Sequence, residues 1–301
     1  MTKVLEVRNV NKYFGKKRVL KNVSFSVDGG EILGFIGPNG AGKTTTIKLI
    51  LGLQTINDGK VFINGYDINE KFSKAMEKVG AIVESPDMYM YLSGKKNLEM
   101  AARMYKGITK ERIAEVIKLV GLEARINDKV SKYSLGMRQR LGIAASLLNS
   151  PNLLILDEPT NGLDPEGIKE LRNLMLELAN KERVAILISS HNLSELESFC
   201  TDICIIKSGE IIESSSVKDV KKTEKTSYLV ALDNTEDVDR LLGEEDEVID
   251  NQHIRVYMDK SEVNDFIKKL IDNGYGIYEF RLETITLEDA FLKKAGGNKI
   301  D

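Results

Sequence analysis

Nine residues, Gly37-Pro38-Asn39-Gly40-Ala41-Gly42-Lys43-Thr44-Thr45, constrain this chain more than any other stretch. They fit G-x-x-x-x-G-K-[ST]. The apolar run Ile32–Ile36 before them reads as a buried strand, and Thr45–Leu51 after them reads as a helix. Strand, glycine loop and helix in that order form a phosphate cradle. Glycines let backbone N–H groups turn inward on a polyphosphate, and the helix N-terminus adds partial positive charge. Lys43 is placed to reach the β- and γ-phosphates of a nucleotide, and the Thr44 hydroxyl to ligate Mg²⁺.

A second apolar strand, Leu153-Leu154-Ile155-Leu156, ends in two acids, Asp157 and Glu158. A carboxylate at a buried strand tip can hold Mg²⁺ beside a phosphate loop, which is the role expected of Asp157. Glu158 is then the group expected to polarise a water for attack on the γ-phosphate. One helix upstream, Tyr133-Ser134-Leu135-Gly136-Met137 opens another helical run with Ser134 at the N-cap. A capping hydroxyl beside free N–H groups is a second phosphate-binding device.

The chain has 301 residues, 42% hydrophobic and 30% charged, which is a globular composition with room for one large or two ordinary domains. Short apolar runs at Leu153–Leu156 and Val184–Ser189 alternate with helical patterns, so the fold class is α/β. Strands are expected at 3–9, 20–27 and Val61–Gly65, with a polar turn over Asn11–Arg18. Helices are expected through most of 95–146. The Ser214–Ser216 run and the lysines that follow mark a boundary. Residues 1–221 then form a main domain that carries the phosphate loop, and 222–301 a small accessory domain. That domain reads strand 227–233, helix 235–242, strands near 246–250 and 252–257, helix 261–272, strand 275–281 and helix 287–294. This is a βαββαβ order of ferredoxin-like type.

Net charge is −3, and the segment from Lys222 to Asp301 is markedly acidic, with 19 acidic and 11 basic side chains. Nothing here points to nucleic acid. No apolar run reaches the length of a membrane span, and the start carries charges where a signal peptide would be apolar. Cys200 and Cys204 make no disulfide framework, and with His191 they fall short of a structural metal set. His253 is expected to be an ordinary surface or partly buried residue. The Met88–Leu92 loop is too apolar for open solvent. It either packs on the helical region or meets a cytoplasmic helix of a membrane partner.

Together these motifs resemble the ATPase subunit of ATP-binding-cassette (ABC) transporters, over residues 1–220. Gly37–Thr45 matches Walker A, and Leu153–Asp157 matches Walker B with Glu158 as its catalytic glutamate. Ser134 and Gly136 fall in the signature motif, Asp164 in the D-loop, and His191 at the switch histidine. Phe14 falls at the adenine-stacking position by register, with Tyr13 as the fallback. The resemblance implies a P-loop core with an antiparallel β subdomain and a helical subdomain. It also implies ATP and Mg²⁺ as ligands, and a head-to-tail dimer in which Ser134 and Gly136 reach the γ-phosphate across the interface. Its implied partners are transmembrane permease subunits at the cytoplasmic side of the membrane. The chain departs from the pattern at Tyr133, Leu135 and Met137, and at Glu84, where Gln is usual. A carboxylate at 84 can still ligate Mg²⁺. Glu84 with Ser85-Pro86 resembles bacitracin- and lantibiotic-type export ATPases, and the tail Ile285–Leu292 resembles the tail of drug-export ATPases in that broad group. Non-transport relatives acting on DNA or ribosomes carry a long coiled coil or two cassettes, and this chain has neither.

Overall fold

The computed structural model describes residues 3–192, 196, 199–217 and 226–283, which fall into two compact units divided after Val217. The first unit opens with two long antiparallel strands, β1 (Lys3–Phe14) and β2 (Lys17–Asp28). The expected polar turn over Asn11–Arg18 shrinks to the tight turn at Gly15, because Lys12, Tyr13 and Phe14 stay paired with Leu20, Arg18 and Lys17 across one register shift. With β4 (Asp58–Ile63) and β5 (Tyr66–Asp67) these strands make a sheet of order β2-β1-β4-β5.

The second sheet carries β3 (Ile32–Ile36), β6 (Val79–Ile82), β7 (Leu153–Asp157), β8 (Ala185–Ser190), β9 (Asp202–Lys207) and β10 (Glu210–Ser216). Its order is β10-β9-β3-β8-β7-β6, with every pair parallel except β9/β10. β3, β7 and β8 are buried at every position, as strands covered on both faces must be. The serines expected to mark the boundary therefore lie inside β10, held by the ladder to β9. The core between the sheets joins Leu5, Val7, Phe25, Phe35, Val61, Ile63, Ile155 and Leu187 with Ile47, Leu49 and Ile50 of α1 (Lys43–Ile50). Phe25 and Phe35 stack with ring centroids 5.1 Å apart, one from each sheet. After the short α2 (Phe72–Met76), the region between β6 and β7 is helical, with α3 (Gly94–Ala102), α4 (Lys110–Leu119) and α5 (Leu135–Ser146). Ser93, Thr109 and Ser134 cap these three helices by accepting from the N–H three residues on. After β7, α6 (Pro165–Glu182) leads into β8.

The second unit is a sheet of order β12-β13-β11-β14, antiparallel throughout, built from β11 (Thr226–Leu232), β12 (Glu247–Val248), β13 (His253–Met258) and β14 (Ile277–Glu283). One face packs on α7 (Val263–Asp272) through Tyr228, Val230, Ile254, Val256 and Leu270. The helix expected over 235–242 is a single 3₁₀ turn at Val238–Leu241 that buries Val238. Gly243 stops it, its N–H donating to Asp246. The expected helix 287–294 lies outside the described residues.

Candidate nucleotide site

The site sits at the carboxyl edge of the parallel sheet, where strand register aligns three chain segments. Phe35 of β3 and Asp157 of β7 both pair with Ser189 of β8, so the glycine loop, Glu158 and His191 all leave the sheet at one level. The loop itself admits only glycine at key points. A Cβ on Gly37 would lie 2.2 Å from the Ile206 carbonyl, while Gly40, at φ +79°, has open space above it. Gly42 caps α1 in the left-handed region, and the first N–H groups of that helix have no partner within it. A polar cavity of about 310 Å³ opens over these groups, lined by Val19, Asn39, Gly40, Gly42, Lys43, Thr44, Thr45, Glu158, Asn161 and His191.

Charges in the cavity are arranged around Glu158. Lys43 is 5% exposed; its ammonium donates to the Gly37 carbonyl at 2.6 Å and lies 3.2 Å from Glu158 Oε1. The other carboxylate oxygen of Glu158 meets His191 Nδ1 at 2.8 Å. Glu158 adopts φ +50°, rare for a side-chain-bearing residue and a cost of the order of 1–3 kcal/mol. Two contacts to the next strand hold it there: its N–H donates to Ser189 Oγ at 2.9 Å, and Ser189 donates to Asp157 Oδ1 at 2.5 Å. Ser189 and Asn161 were not among the residues the sequence singled out. Ser189 appears there only as the end of the apolar run from Val184, and strand register is what gives it two acidic neighbours.

Other expected site residues lie apart from this cavity. Ser134 is an exposed N-cap on α5, accepting from the Met137 N–H at 3.2 Å. Asp164 caps α6 by accepting from Gly167, with Pro165 at the first helical position. The signature and D-loop segments touch: a Cβ on Gly162 would lie 2.6 Å from Leu135, and one on Gly136 would lie 3.6 Å from Leu163. Phe14 and Tyr13 are exposed at the end of β1, with Lys12 over the Phe14 ring and Arg18 over the Tyr13 ring. Pro38 and Ala41 shape the loop through an Ala41 N–H bond to the Pro38 carbonyl at 3.1 Å. Glu84 is exposed, at φ +66°, and its carboxylate pairs with Lys48 of α1 at 2.8 Å. The Lys48 ammonium donating to it and its positive charge hold the Glu84 carboxyl below the usual carboxylate range.

The donor set suits Mg²⁺ bound through substrate. Among the described residues no cluster of three or more His, Cys, Asp and Glu exists to cage a metal. Thr44 lines the cavity, and Asp157 ends β7 immediately before the lining residue Glu158. One hydroxyl, one carboxylate, phosphate oxygens and water are what Mg²⁺ prefers. Cys200 and Cys204 are free and buried, and burial pushes the Cys204 thiol up to about 12. His253 instead pairs with Asp250 in the second unit.

A family profile described as ABC transporter matches residues 20–161. The uncharacterised ABC transporter ATP-binding protein YhcH of Bacillus subtilis is 44% identical over 299 residues, covering 99% of this chain and 98% of its own. The bacitracin transport ATP-binding protein BcrA of Bacillus licheniformis is 36% identical over 305 residues, covering both chains in full. A dimeric ATP-binding cassette, MJ0796 bound to ADP and Pi, superposes with a TM-score of 0.63 at 25% identity, covering 71% of this chain and 98% of that one. The phosphate loop, the Asp157–Glu158 strand tip and this end-to-end likeness make the chain a member of the ABC transporter ATP-binding family.

Proposed function

We propose that this chain is the ATP-hydrolysing motor of an ABC exporter. It works as a head-to-tail pair on membrane subunits at the cytoplasmic side of the membrane. The observation that carries the reading is the Glu158 carboxylate, set between Lys43 and His191 at the mouth of the phosphate cavity. With nucleotide bound, Lys43 and the α1 N-terminus would hold its phosphates, and Thr44 and Asp157 would hold Mg²⁺, which would neutralise phosphate charge. Glu158 accepts a proton from the attacking water, and His191 fixes that carboxylate's orientation. BcrA, a bacitracin transport protein alike over the whole chain, supports a transport role. Export, rather than uptake, rests on Glu84 and on the Ile285–Leu292 tail, which lies outside the described residues.

The segment after Glu84 is a suitable face for a membrane subunit. Tyr89 and Tyr91 are 50% and 67% exposed, edge to face with each other, while the backbone of Tyr89 is fixed by Asn97. The loop is thus anchored to the helical region and still presents its rings outward. No helix among the described residues is long and apolar enough to cross a membrane, so membrane helices come from other chains in this reading.

Glu158→Gln tests the chemistry. Nucleotide affinity should stay within a few-fold of wild type while steady-state ATP hydrolysis falls by ~100-fold or more, since one general base contributes about 10²–10⁴. Hydrolysis near the wild-type rate would remove Glu158 from this role.

A further inference from the structure

The sheet of the second unit has two unlike edges. β12 is two residues long, too short to template another strand. β14 runs seven residues, Ile277–Glu283, without Lys or Pro, and among the described residues it pairs on one side only, with β11. Its outer residues are open: Tyr278 is 74% and Leu282 53% exposed, and the Glu279 and Arg281 side chains are 53% and 58% exposed. Glu279 and Arg281 satisfy each other only at 3.8 Å along the same strand. Natural edges of this length usually carry charge patterns that repel another strand. This one carries a pattern that complements itself.

We propose that β14 pairs antiparallel with β14 of a second copy of this chain, about a two-fold axis through Phe280 perpendicular to the sheet. In that register the strands overlap along their full length. Glu279 faces Arg281 of the second copy, Arg281 faces Glu279 of the second copy, and Tyr278 faces Leu282 at both ends. A slip that centres the axis on Glu279 or Arg281 places like charges directly opposite, which is unfavourable. Charge therefore selects the fully overlapped register. The two four-stranded sheets become one continuous eight-stranded sheet, with both α7 helices on the same face. An isologous contact of this kind closes on itself and stops at two copies. It needs no nucleotide, so it is separate from the dimer of the proposed motor and stands whether or not that reading holds.

The test uses the full chain without nucleotide and with metal chelated, by sedimentation velocity over a concentration series. Wild type should dimerise. Glu279→Arg and Arg281→Glu should each weaken the dimer roughly tenfold, as two opposed pairs become like-charged. An equimolar mixture of the two variants should regain wild-type association, because each then meets its complement. Hydrogen exchange on wild type gives a measurement free of variants: β14 amides should become more protected as protein concentration rises. A monomer at every concentration, a dimer indifferent to both reversals, a mixture that stays weak, or protection of β14 independent of concentration would each overturn the proposal.

Discussion

Ser189 makes the clearest case at the residue scale. Its hydroxyl donates to Asp157 and accepts from the Glu158 N–H, so one atom sets both the metal-side carboxylate and the left-handed backbone of the base. Ser189→Ala should leave the strand intact, being buried in β8, but free Asp157 to rotate and remove a support for the Glu158 backbone. We expect kcat to fall about tenfold, the loss of a charge-assisted hydrogen bond, with nucleotide affinity changed less. Equal losses in kcat and affinity would show that Ser189 merely supports the fold. The sequence made Lys43, Asp157, Glu158 and His191 legible because each sits in a motif whose spacing has a physical reason. Ser189 and Asn161 were hidden because their roles arise from strand register and loop closure, which no local pattern encodes. Glu84 was legible as a departure, yet its pairing with Lys48 depends on how α1 and the β6–α3 connection meet.

Among elements, the start of α5 shows how an unusual residue is accommodated. Tyr133 is buried and donates its hydroxyl to the Arg125 carbonyl at 2.8 Å. A Cβ on Gly94, the first residue of α3, would lie 2.4 Å from that hydroxyl. The larger ring at 133 therefore requires the missing side chain at 94. Gly94→Ala should destabilise the fold by about 1–3 kcal/mol, the usual cost of overpacking. Adding Tyr133→Phe should recover part of that loss, since the nearest remaining ring atom is 3.2 Å away. Denaturant unfolding of both variants measures it, and additive losses would deny the contact. The sequence conveyed a helical pattern through most of 95–146 and the cap at Ser134, while the caps at Ser93 and Thr109 emerge with the structure. The length of β1 was not, because its polar end is held by pairing rather than by apolar alternation.

For the whole molecule, the far end of the sheet from the site sets a pH dependence of stability. Glu31 precedes β3, and burial, opposed by its bond from the Asp28 N–H and reinforced by Asp202 and Asp28, pushes its carboxyl up to about 7. A folded-state value above the unfolded 4.5 means folding favours the neutral form. Its contribution is whole below about pH 4.5 and is lost as pH rises through about 7. Glu31→Gln should flatten that part of the stability profile and stabilise the protein by on the order of 1 kcal/mol at pH 8, discounted for its partial exposure. Chemical denaturation between pH 5 and pH 8 reads this out, and parallel profiles for variant and wild type would contradict it. At this scale the sequence conveyed the α/β class and the acidic tail. It did not convey β6 and β9 as partners in the parallel sheet. β6 is interrupted by Gly80, and β9 contains Cys204 within a short apolar run, so neither stands out from its surroundings.

We propose that two copies close on ATP, with Ser134 of one acting at the phosphate site of the other. Sedimentation of Glu158→Gln carrying Glu279→Arg, at a concentration where that chain is monomeric without nucleotide, with and without ATP and Mg²⁺ tests this. ATP should convert this variant to a stable dimer, and adding Ser134→Arg should abolish that dimer while each monomer still binds nucleotide. If the chain binds ATP yet sediments the same with and without it, or if the ATP-dependent dimer survives Ser134→Arg, the two copies do not close in this way.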